Sequence, residues 1–83
     1  MKERVKQSLR YAIGAKLVTA REQRGLKQSD AARKVEIKQS DLSKIENGQK
    51  KLEFLLLIQL AKLYKKPFAF FVPNLLAKTK KHS

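Results

Sequence analysis

Leu9, Ile13, Leu17 and Ala20 recur at spacings of four, four and three. That is the repeat of one apolar helix face, and Gly25 stands where such a helix ends. This first helix is expected to begin within residues 3–10 and to reach Arg24, with Gly14 inside it. Further stops follow at short intervals: Asn47-Gly48, Pro67 and Pro73. Between them, residues 28–35 offer Ala31, Ala32 and Val35 to a core, and residues 39–46 offer Leu42 and Ile45. Residues 52–64 are strongly apolar. Pro67 suits the first turn of a fifth helix, and Pro73 ends it. The flanks of Asn47-Gly48 do not alternate apolar with polar, so a β-hairpin is set aside. The punctuation predicts an all-α chain of five short helices with tight connections.

A chain of 83 residues without cysteine has one small core and no disulfide to reinforce it. One histidine cannot build a zinc site. Well-packed helices or a dimer must supply the stability. Twenty Lys+Arg against seven Asp+Glu give a net charge of +13, which calls for a polyanionic partner. The longest apolar run, Phe54-Leu55-Leu56-Leu57-Ile58, is far short of the ~20 residues that span a bilayer. The basic N-terminus lacks the apolar stretch of a signal peptide. A cytoplasmic, nucleoid-associated protein is expected. No nucleophile–base set, phosphate loop or metal set points to an enzyme, and no cofactor is expected.

The ordered set Ile13-Gly14-Ala15-Lys16-Leu17, Arg21-Glu22-Gln23-Arg24-Gly25-Leu26-Lys27-Gln28, Ala32 and Leu42-Ser43-Lys44-Ile45-Glu46-Asn47-Gly48 resembles the Xre family. These are the lambda-repressor-like helix-turn-helix DNA-binding domains of phage and bacterial repressors. The resemblance spans about residues 10–72. Residues 1–9 then form a basic, partly helical extension, and residues 73–83 a basic tail.

The resemblance implies that the third helix enters the major groove of double-stranded DNA. Gln39, Ser40, Ser43 and Lys44 would face base edges there, with Gln39 suited to adenine. Gln28, Lys38, Asn47, Gln49, Lys50 and Lys51 would hold phosphates. Arg21 and Glu46 would form a structural ion pair. Asp41 is poorly suited to a polyanion and is expected beside the contact surface. The family usually has Ser or Thr at the positions of Lys27 and Lys38, Gly at that of Glu36 and Leu at that of Ala31.

By the family pattern, the fourth helix buries Phe54, Leu57, Ile58, Ala61 and Tyr64. Leu55, Leu56 and Phe70 are then surplus apolar groups, expected at a homodimer interface. A repressor would meet an inverted repeat with two reading helices about 34 Å apart. Residues 60–73 also resemble the domain end of Xre regulators paired with ImmA/IrrE-type metallopeptidases. The competing reading is therefore an antitoxin or adaptor for a separately encoded partner, a toxin or metallopeptidase.

Overall fold

The computed structural model describes residues 3–72, and the expected basic tail, residues 73–83, lies outside them. Four α-helices follow in order: α1 Glu3–Gln23, α2 Gln28–Lys34, α3 Gln39–Glu46 and α4 Phe54–Tyr64. The fifth expected helix is instead a single turn of 3-10 helix, Phe68–Phe71. Pro67 and Pro73 bracket too few residues for two α-turns. Val72, which precedes Pro73, is driven to an extended backbone (φ −77°, ψ 124°). No strand occurs among the described residues. No helix among them is long and apolar enough to cross a membrane.

All four α-helices stop on a left-handed residue within two positions of their last helical residue, and two backbone N–H groups fold back onto the last-turn carbonyls. After α1, Gly25 takes φ +70°, with Gly25 N–H bonded to Glu22 O and Leu26 N–H to Arg21 O. After α3, Gly48 takes φ +75° and repeats the pattern through Ile45 O and Lys44 O. After α2 the left-handed residue is Glu36 (φ +60°), one past the cap, and after α4 it is the cap residue Lys65 itself (φ +57°). Here a Cβ must be accommodated in a region that favours glycine. The turn between α2 and α3 thus keeps the left-handed residue although glycine is missing from it. The short connections follow from these reversals, which spend only a few residues each.

The core gathers Leu17 and Ala20 of α1, Ala31 and Ala32 of α2, and Leu42 and Ile45 of α3. Leu57, Leu60, Ala61 and Tyr64 of α4 and Phe71 complete it. Three departures from the expected pattern appear on α4. Phe54 is 64% exposed, Ile58 is only half-buried and outside the core, and Leu60 is fully buried in addition to the expected stripe. The first turn of α4 lies at the core edge, so the stripe takes hold only at Leu57. Ala31 is fully buried. With alanine at both 31 and 32, α2 is seated through small side chains. Gly14 sets the crossing of α1 over α3. A Cβ there would stand 2.8 Å from Ile45 O and closer still to Glu46 O. Only a residue without a side chain permits this approach.

Candidate nucleic-acid interface

α3 divides cleanly between two environments. Leu42, Ile45 and Glu46 are buried, while Gln39, Ser40 and Lys44 are exposed and Ser43 is half-buried. Ser40, Ser43, Lys44 and Asn47 follow the three-and-four spacing that places them on one outward face. The helix is therefore fixed by one side and presents a polar row on the other.

Its orientation is set by a polar network that begins in the interior. Arg21 on α1 grips Glu46 through two parallel bonds, Nε to Oε2 at 2.8 Å and Nη2 to Oε1 at 3.2 Å. A third bond runs from Nη1 to Leu26 O at 2.9 Å, on the α1–α2 connection. The two side chains are only 12% and 2% exposed. The hydrogen bond from Arg21 to Glu46 raises the guanidinium pKa further, against the opposing effect of burial. Gln28, the first residue of α2, donates from Nε2 to Glu46 Oε1 at 2.7 Å. Gln39, the first residue of α3, donates to Gln28 Oε1 at a longer 3.4 Å. One connected path runs from a buried charge to the exposed start of α3. Beneath it lies Tyr64, whose pKa burial pushes up to about 12. Its hydroxyl finds no hydrogen-bond partner among the described residues.

Lys27 and Lys38 occupy the cap positions of α2 and α3, with extended backbones and no side-chain cap bond. Both are exposed, so each helix N-terminus carries an ammonium beside its uncapped N–H groups. That arrangement opposes the helix dipole but suits an incoming phosphate. Beyond α3, Asn47, Gln49, Lys50 and Lys51 form an exposed loop. Lys50 is already engaged: its Nζ lies 2.9 Å from the Asp41 carboxylate. This contact holds the Asp41 pKa below its ordinary value, with Lys38 and Lys44 adding to the effect. Gly48 packs against the backbone of Arg10 and Tyr11, so α1 supports this loop from behind.

Sequence reasoning did not foresee the Asp41–Lys50 pair or the bonds made by Gln28. Each joins residues from different elements. The only local signal was that Gln28 and Gln39 both open helices on either side of one turn.

The expected dimer residues fall in different settings. Leu55 is 74% exposed, whereas Leu56 and Phe70 are half-buried against the core. Lys16 and Lys66 each place an ammonium 4.9 Å from the centre of the Phe70 ring, and so cover it. The open apolar surface lies instead at Phe54, Leu55 and Phe68. The two phenylalanines meet edge to face at 5.7 Å.

This arrangement has relatives of known structure. The clp gene regulator ClgR from Corynebacterium glutamicum superposes with a TM-score of 0.73 at 27% identity, over 76% of this chain and 67% of that one. A second ClgR crystal structure gives 0.72 at 27% identity, over 76% and 82%. The DNA-binding domain of BldD gives 0.72 at 25% identity, over 88% of this chain and 100% of that one. No curated protein matches the chain. Residues 17–71 match the family profile described as helix-turn-helix (HTH_3). With that match spanning most of the chain and α2 and α3 forming its two-helix unit, the protein belongs to the helix-turn-helix family of DNA-binding regulators.

Proposed function

We propose that the protein is a sequence-specific double-stranded DNA-binding regulator, a repressor, that lays α3 in the major groove. One observation carries the reading: the network from Arg21 through Glu46 and Gln28 to Gln39, which fixes the exposed end of α3 from inside the core. Gln39, Ser40, Ser43 and Lys44 read base edges. Gln28, Lys38, Asn47, Gln49, Lys50 and Lys51 hold the backbone. Gln39 retains an acceptor oxygen and one N–H, the pair that adenine N6 and N7 require.

A homodimer on an inverted repeat completes the reading. The exposed Leu55, with Phe54 next to it and Phe68 against Phe54, supports this contact, to which Leu56 and Phe70 would add only what they leave open. The same apolar surface is the one observation favouring the second reading, in which a separately encoded toxin or metallopeptidase is the partner.

Selection from a randomised duplex pool, followed by gel shift at several salt concentrations, tests the reading. An enriched inverted repeat is expected, bound at least ~1,000-fold more tightly than random duplex. Gln39→Ala should cost about 1–3 kcal/mol on that repeat and relax the preference at one base position. Equal affinity for random and selected DNA at physiological salt would refute it.

A further inference from the structure

Asp41 is a carboxylate on the helix that faces a polyanion. It stands three residues after Lys38 and three before Lys44, positions that meet on neighbouring turns of a helix. Across the gap to the following loop, Lys50 Nζ reaches it at 2.9 Å. Lys50 thus holds the carboxylate directly, in the way it would hold a phosphate, and the charges of Lys38 and Lys44 act on the same group from further off. The side chains of Lys50 and Asp41 remain 47% and 32% open to solvent, so the pair can separate without unfolding.

We propose that Asp41 is a built-in counter-ion that holds Lys50 in place of a DNA phosphate, and thereby sets the strength and salt dependence of sequence-independent DNA binding. The proposal rests on the reading of α3 as the DNA-facing helix. Non-specific affinity comes almost entirely from phosphates neutralised by basic side chains and the ions they release. A lysine that holds a carboxylate has to give it up before it can take a phosphate, so on random sequence Lys50 stays with Asp41 and neutralises none. Its contribution to random-sequence binding is accordingly small. In a chain of net charge +13, that restraint takes one phosphate contact out of the grip on bulk DNA. A purely structural tie between α3 and the loop predicts the opposite, since cutting it would loosen the DNA-facing surface.

The experiment measures binding of the full chain to a ~20-base-pair random duplex by fluorescence anisotropy, between about 50 and about 200 mM KCl. Asp41→Asn is expected to bind more tightly at the lower salt. Its log–log salt slope should steepen by about 0.9, one more phosphate neutralised, so that it loses about 3.5-fold more affinity than wild type across that range. In a Lys50→Gln background, the same substitution should leave the slope unchanged. Three results overturn the proposal: an unchanged slope for Asp41→Asn, a steepening that persists without Lys50, or weaker binding together with a lower melting temperature. Asp41→Ser serves as a second variant should the asparagine form fold poorly. Failure of the wild type to bind any duplex at low salt is a separate outcome, which overturns the reading of α3 and this proposal with it.

Discussion

Arg21→Ala removes three hydrogen bonds at once: two to the Glu46 carboxylate and one to Leu26 O. Glu46 is 5% exposed and, among the described residues, keeps only the Gln28 amide for its side chain. A charge stranded in this way costs roughly 3–5 kcal/mol. Because the arginine lies near the surface at 12% exposure, water can enter the space it leaves, which places the cost near ~3 kcal/mol. For a domain of this size each kcal/mol moves the midpoint by about 4–8 °C, so a fall of roughly 12–24 °C is expected. Thermal melting followed by circular dichroism at pH 7 measures it. The double variant Arg21→Ala/Glu46→Gln separates the causes. If a stranded carboxylate dominates, neutralising it recovers part of the loss. A midpoint within a few degrees of wild type would refute the reasoning. So would a double variant as unstable as the sum of its parts.

Three further outcomes follow from the packing. Gly14→Ala should destabilise by about 1–3 kcal/mol in urea unfolding despite the better helix propensity of alanine, because the new Cβ meets the Ile45 and Glu46 carbonyls; an unchanged or higher urea midpoint would show that α1 and α3 are not so closely set. Glu36→Gly should stabilise by roughly 0.5–1 kcal/mol, since the native φ of +60° suits glycine, and a clear loss of stability argues against the left-handed turn. Tyr64→Phe should leave the pH 7 midpoint unchanged or raise it, the hydroxyl having no partner among the described residues. The folded-state pKa of Tyr64 is raised from 10.0 to about 12, so the stability that its neutral form contributes is whole below pH 10 and is lost as pH climbs towards 12. Melting curves across that window should therefore fall more steeply for wild type than for Tyr64→Phe.

Much of the fold was legible because its signals are local. The bounds of α3 follow from the residues that open and close it, and the stop after α1 from Gly25. The fifth helix shortens to one turn because a start at Pro67 leaves little room before Pro73. The family pattern puts Phe54 inside, but a pattern of buried positions carries no information on where the neighbouring helices of this chain end. The family's glycine at the position of Glu36 marks the turn as unusual, but not how the chain makes it. The same backbone reversal recurs with lysine after α4, so two pairs of closing hydrogen bonds offset a Cβ twice in one small chain. The candidate site divides along the same line. Its residue types lie on the surface of the sequence, whereas the contacts among Gln28, Gln39 and Glu46, and between Asp41 and Lys50, depend on a turn angle that no local pattern encodes.

The network under α3 also has a direction. A guanidinium only donates and a carboxylate only accepts, so Glu46 obliges Gln28 to turn its amino group inward. The carbonyl of Gln28 then faces Gln39, which must offer its own amino group in turn. Two amides that would otherwise be free to flip are each left one way round. The polarity that Gln39 shows to the outside is thus decided by a carboxylate that the outside never touches.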